Sequence, residues 1–355
     1  MRRALFDPAH GYYTTAEPFG VAGDFITAPE ISQMFGELLG LWAADMWQRM
    51  GAPADVVLAE IGPGRGTLMA DALRAICRAA PGMLAARPVH LIEASPRLRT
   101  VQAERLAGQE VVFLDRLSAL PAAPVILIGN ELLDALPIRQ VARRGDDLVE
   151  IGVGLKAGDG VGASDDLTFV DMPLAYEVPD DLPELENGEV FEICEEGRRL
   201  SAALGAHLAA HGGAALLIDY GHDKSAAGET LQAVRRHAFH PVLSDIGEAD
   251  LTAHVDFAAV AKAACGTGAR AFGPVSQRDL LRRLGIEPRL AQLVRNAEPQ
   301  VRDRLVAGYH RLTDPERMGH LFRALCLTGA GDVAHAVPPT AFETAEEVET
   351  DADGS

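Results

Sequence analysis

The chain has 355 residues, 48% of them apolar, and a formal net charge of −19. That length holds one large domain or two modest ones with a proper core. The acidity argues against a nucleic-acid partner, because neutralising phosphates needs a basic face. Cys77, Cys194, Cys265 and Cys326 form no Cys-x-x-Cys pair, no apolar run reaches the length of a membrane span, and no signal peptide opens the chain. A cytoplasmic protein without a metal site is the expectation. Lysine stands only at 156, 224 and 262 beside abundant arginine, which reads as bacterial coding bias.

Residues 1–50 are expected to form a helical N-terminal lid segment. Gly23, Asp24 and Phe25 have no ready structural explanation and are candidates for a lid over a bound cofactor. Thr27 and Glu30 have the spacing of a capping box, with Pro29 in the first turn. Met34, Phe35, Leu38, Leu39, Trp42 and Met46 then recur at the spacing of a buried helix face.

After residue 50, short apolar runs alternate with helical patterns. Strands are expected at 56–61, 89–93, 111–114, 125–129 and 214–219, and helices at 67–80 and 96–107. Apolar strands without alternation are those covered on both faces. The fold class is therefore α/β: a Rossmann-like, doubly wound, mostly parallel sheet. Its first half would occupy 51–138. Residues 139–190 have short alternating runs broken by Gly, Asp and Pro, as in an antiparallel insertion. The second half, 191–333, would open with a helix over 191–211 and carry a second, polar insertion at 221–256. Helices at 257–265, 277–284 and 302–312 and a last strand at 321–327 complete it. Residues 334–355 are small and acidic and are expected to be disordered.

Glu60-Ile-Gly62-Pro-Gly64-Arg-Gly66 joins the first strand to the first helix of this pattern. Glycines there allow a tight turn and close approach of the backbone to a ligand. A nicotinamide site leaves its helix N-terminus bare for a pyrophosphate. A carboxylate two residues before the first glycine repels phosphate and suits a ligand bearing an amino group and a sulfonium, so S-adenosylmethionine is the expected cofactor. Glu93, ending the second strand, is placed to accept the ribose hydroxyls; it could equally be a solvated acid before a helix capped by Ser95. Asp115 could reach the adenine amino group or simply occupy a surface turn.

Asn130-Glu131-Leu-Leu-Asp134 follows the fourth strand, where open sheets bind their substrates. Two carboxylates three apart can share a helix face and grip a guanidinium through forked bonds. They could also merely cap a helix at its positive end. Tyr220, His222, His254 and Asp256 are expected on the same rim. His254 could act as a base; Asp256 could simply cap the helix that follows.

Several stretches together resemble one family. They are Gly-Asp-Phe-Ile-Thr-Ala-Pro-Glu-Ile-Ser at 23–32, Glu-Ile-Gly-Pro-Gly-Arg-Gly-Thr-Leu at 60–68, Ile-Glu-Ala-Ser-Pro-Arg-Leu-Arg at 92–99, Asn-Glu-Leu-Leu-Asp-Ala-Leu-Pro at 130–137, Ile-Asp-Tyr-Gly at 218–221 and Asp-Leu-Thr-Ala-His-Val-Asp-Phe at 250–257. The chain is similar to the MidA-like methyltransferases, bacterial relatives of the mitochondrial arginine methyltransferase that assists assembly of respiratory complex I. The similarity runs from about Asp7 to about Gly329. Family members usually carry a further helical segment before the Asp-Pro-Ala-His-Gly-Tyr-Tyr of 7–13. The resemblance implies a class I methyltransferase fold, S-adenosylmethionine as donor, and an arginine of a quinone-module NADH dehydrogenase subunit as acceptor. The site residues are then Glu60, Gly62, Gly64, Gly66, Glu93, Asp115, Asn130, Gly23 and Asp24 for the cofactor and Glu131, Asp134 and His254 for catalysis. One rival is a non-catalytic assembly factor with a vestigial pocket, against which the intact Glu60, Gly62, Gly64 and Glu93 speak. The other is a nicotinamide oxidoreductase.

Overall fold

The computed structural model describes residues 1–15, 27–156, 166–329 and 338–342; Gly23, Asp24 and Phe25 lie outside them. The helices are α1 (Arg2–Phe6), α2 (Tyr12–Thr15), α3 (Ala28–Ile31), α4 (Gln33–Arg49), α5 (Thr67–Ala79), α6 (Pro96–Arg105), α7 (Glu195–His211), α8 (Phe257–Cys265), α9 (Gln277–Arg283), α10 (Ile286–Val294) and α11 (Pro299–Thr313). The strands are β1 (Val57–Ile61), β2 (Val89–Ile92), β3 (Val111–Leu114), β4 (Val125–Asn130), β5 (Arg139–Arg144), β6 (Asp147–Leu155), β7 (Leu167–Pro173), β8 (Val190–Ile193), β9 (Gly213–His222), β10 (Gln232–Arg235), β11 (Ala238–His240), β12 (Asp250–Thr252), β13 (Val255–Asp256), β14 (Arg270–Ser276) and β15 (Phe322–Thr328). Contacts gather the chain into two units. One holds Met1–Phe25, Leu133–Arg199 and His222–Ala259; the other holds Ile26–Leu132, Leu200–Gly221 and Val260–Ser355.

The second unit is built on the main sheet, in the order β14-β15-β9-β4-β1-β2-β3. β9, β4, β1, β2 and β3 run parallel. β15 is antiparallel to both its neighbours, β9 and β14. Every residue of β1, β2 and β4 is buried, as unalternating apolar strands require. The α/β, mostly parallel, Rossmann-like fold read from the sequence is the one observed. Strand order reverses between β1 and β4, so the loops after these two strands flank the crevice where such sheets bind ligands. α4 packs closely on α5 because Gly36 and Gly40 have no side chain: a Cβ on Gly40 would lie 2.5 Å from the carbonyl oxygen of Ala72.

In the first unit, strands β5 to β8 form a four-stranded antiparallel sheet, order β7-β6-β5-β8. Val141, Phe191 and Ile193 are buried on one of its faces. β11, β10 and β12 form a three-stranded sheet from the second polar stretch.

Three expectations change. The helix anticipated over 191–211 starts only at Glu195; Val190–Ile193 is strand β8, whose apolar run also fits a helical period. Residues 131–137 form turns, with no helix. Thr27 precedes only the short α3 and makes no side-chain cap bond; Ser32 instead accepts the Met34 amide at the start of α4. Glu30, expected to close the capping box, is hydrogen-bonded to the Thr67 hydroxyl.

Candidate active site

Glu60 stands in β1, two residues before the first glycine of the turn. It lies beneath it, 2% exposed. The cause is local. Gly66 is the residue before α5, with a left-handed φ of 75°, and has no side chain to cap the helix. Glu60 reaches over from β1 and accepts the Met69 backbone N–H, in the third position of α5. The helix N-terminus, the natural seat of a pyrophosphate, is thus held by the protein's own acid. Burial pushes the Glu60 carboxyl up to about 8; the Met69 amide opposes this and Glu93 adds to it. Its second oxygen is buried and meets no hydrogen-bond donor among the described residues. A cationic, amine-bearing ligand satisfies such an acceptor, directly or through one water, and restores its charge. Gly62 (φ 66°) completes the turn; a Cβ there would lie 2.9 Å from Leu132. These residues fit S-adenosylmethionine.

Glu93 follows β2. Its Oε1 accepts the Ser95 amide at 2.8 Å and its Oε2 accepts Gln102 Nε2 at 3.1 Å. Burial raises its pKa, countered by those two bonds. Gln102 also donates to the Gly64 carbonyl at 2.8 Å, so one fully buried amide ties the glycine turn to the ribose candidate. Sequence reasoning missed it. The signal was a glutamine between Leu98 and Leu106 on the buried stripe of α6. Asp115 lies in the turn after β3, its side chain 83% exposed and paired with Arg99 at 2.5 Å. Arg99 also donates to the Glu93 carbonyl, which brings Asp115 into the same network.

At the end of β4, Asn130 is buried and donates to Glu131 Oε1 at 2.9 Å. The same oxygen accepts the Ala28 amide, the first of α3, at 2.9 Å. Glu131 itself has φ 50°, a costly backbone for a residue with a side chain. Asp219, fully buried in β9, fixes the neighbouring turn by accepting the Leu132 amide at 3.0 Å. Glu131 is thus held from two sides, in a turn. The shared helix face expected for Glu131 and Asp134 does not exist, because the left-handed residue breaks the helical path.

Glu60, Gly62, Gly64, Gly66, Glu93, Asn130 and Glu131 all belong to the second unit. Asp134 and His254 belong to the first. There Asp134 is buried, and its carbonyl accepts the Ala253 amide at 3.0 Å. The His254 amide donates to Thr230 Oγ1 at 2.8 Å. Thr230 is in turn held by Glu192, whose carboxylate also accepts Gln140 Nε2 and the amides of Thr230 and Leu231. Burial lowers the His254 pKa, His222 lowers it further, and Glu192 opposes them. Tyr13 donates to Asp250 Oδ2 at 3.0 Å. Its pKa is raised well above the ordinary value by burial, then by Asp250 and Asp134. Asp256 accepts the Ala259 amide and caps α8, the bland alternative. Glu192 and Asp250 escaped sequence reasoning because an acid within a short strand carries no pattern of its own.

The Methyltransf_28 model, of S-adenosyl-L-methionine-dependent methyltransferases, matches residues 38–275. The mitochondrial protein arginine methyltransferase NDUFAF7 of Danio rerio is 35% identical over 347 residues, 91% of this chain and 81% of that protein. The Homo sapiens protein of the same name is 34% identical, over 92% of this chain and 78% of that protein. A Burkholderia thailandensis crystal structure bound to S-adenosyl-homocysteine has a TM-score of 0.80 and 30% identity, covering 93% of this chain and 87% of that one. Sequence, sheet order and the phosphate-refusing turn converge on S-adenosylmethionine as the cofactor. The chain belongs to the Methyltransf_28 family of S-adenosyl-L-methionine-dependent methyltransferases.

Proposed function

We propose that this enzyme methylates an arginine side chain of a protein. The acceptor would be the quinone-module subunit of a bacterial NADH dehydrogenase, modified in the cytoplasm during assembly of respiratory complex I. What carries the reading is the similarity, over more than nine-tenths of the chain, to relatives named protein arginine methyltransferase. The chemistry agrees. A guanidinium is protonated at neutral pH. It must be oriented, and must lose a proton as its nitrogen bonds to the methyl carbon and the carbon–sulfur bond breaks. The donor, when bound, supplies an activated methyl on a sulfonium, so positioning provides much of the rate.

Glu131, fixed by the Ala28 amide and Asn130, orients the guanidinium. Glu93 holds the ribose, and Glu60 complements the cationic end of the cofactor. The sheets at 139–193 and 232–252 choose the protein acceptor.

Mass spectrometry of the proteome with and without the gene tests this. Methylarginine should disappear from an NADH dehydrogenase subunit in the deletion strain. An unchanged set of methylarginines would remove the proposal.

A further inference from the structure

The outer end of the β6–β7 hairpin exposes apolar side chains that pair across the strands. Val153 faces Phe169 and Leu155 faces Leu167 in the register. The four are 53%, 46%, 61% and 38% exposed. With a side-chain period of two they share one face of the sheet. Together they present on the order of 300–400 Å² of apolar surface, within the range of a monomer's largest patch, which is often functional. β7 is also an edge strand, and no described backbone group outside the sheet pairs with it. The opposite edge, β8, is already served: the Val190 carbonyl accepts the Gly228 amide. The β7 edge is thus a template for a further strand.

The surroundings select the occupant. The described residues 133–156 and 166–199 of this unit carry fifteen acidic and six basic side chains. An apolar strip in so acidic a field suits a partner that is apolar and cationic. A second copy would bring like charge, and two such patches would bury well under the ~1,200 Å² typical of stable pairs. A weak, releasable contact is what an enzyme needs with a macromolecular substrate.

We propose that the open edge of β7, with Val153, Leu155, Leu167 and Phe169, docks an extended segment of the methyl-acceptor protein, apolar at alternate positions and carrying arginine or lysine between them. This rests on the protein-acceptor reading above. Added as a strand, such a segment places its apolar side chains beside the patch and its cations on the opposite face of the same sheet.

The test measures binding, not turnover, so its failure is separable from failure of the acceptor reading. The full chain is titrated into a fluorescent peptide alternating valine with arginine, and into a serine–arginine peptide of equal charge. The wild type should bind the first at least tenfold more tightly. The double variant Leu155→Ser and Phe169→Ser, and the conservative pair Val153→Thr and Leu167→Thr, should erase that preference while leaving S-adenosylmethionine binding intact. Equal affinity of the wild type for both peptides overturns the proposal. So does a preference that survives either double variant. A concentration-dependent dimer in sedimentation, abolished by the same substitutions, would assign the patch to a second copy instead. Absence of any methylarginine product with peptide preference intact would overturn only the acceptor reading.

Discussion

Glu60→Gln should stabilise the protein at neutral pH while weakening its hold on the cofactor. In the folded chain the Glu60 carboxyl is pushed from 4.5 up to about 8 by burial. The unfolded chain therefore ionises first as pH rises. A raised carboxyl pKa contributes stability in full below pH 4.5 and loses it progressively up to about 8. At roughly 1.4 kcal/mol per pH unit, the loss is about 3 kcal/mol at pH 7 and on the order of 5 kcal/mol above pH 8. Glutamine keeps the shape and can still accept the Met69 amide, but it does not titrate. The stability gap between variant and wild type should thus widen with pH, in favour of the variant. Urea unfolding at pH 5, 6, 7 and 8 reads this directly, because both tryptophans, Trp42 and Trp47, lie on α4 in the unit that holds Glu60. In calorimetry, S-adenosylmethionine affinity should rise with pH in the wild type, as the bound cation draws the proton from Glu60, and stay flat in the variant. A stability gap independent of pH would refute the burial argument.

Gln102→Leu keeps the volume but cuts the bonds to Gly64 and Glu93; cofactor affinity should fall about tenfold by calorimetry, near the ~1.4 kcal/mol of one buried hydrogen bond. An unchanged Kd would show that the amide only fills space. Glu131→Gln should lower kcat at least tenfold with cofactor affinity preserved, as measured by radiolabelled methyl transfer; wild-type turnover would take Glu131 out of the mechanism.

The parallel sheet was legible because its strands are apolar throughout and alternate with helical periods, a pattern that leaves few other folds. The glycine turn was legible for the same local reason: backbone at φ 66° and 75° demands glycine at 62 and 66. What Glu60 does there was not legible. Sequence placed the acid beside the turn, but only the packing of α5 over β1 shows it buried under the turn and capping the helix. The helix face expected to carry Glu131 and Asp134 fails for a similar reason. Leu132, Leu133 and Leu136 suit a helical face, yet Glu131 adopts a left-handed backbone, held by the Ile218 carbonyl and the Ala28 amide, both far along the chain, and by its neighbour Asn130. Gln102, Glu192 and Asp250 were hidden because each matters through a partner distant in sequence. Gly23 and Asp24 lie outside the described residues.

The most direct measurement is a crystal structure of this chain with S-adenosyl-homocysteine. The ligand's amino group should lie against the turn at 62–66, bonded to Glu60 directly or through one water, with both ribose hydroxyls on Glu93. A ligand seated elsewhere, or one whose amino group ignores Glu60 while Glu93 stays engaged only by Ser95 and Gln102, would contradict the electrostatic reading of this pocket.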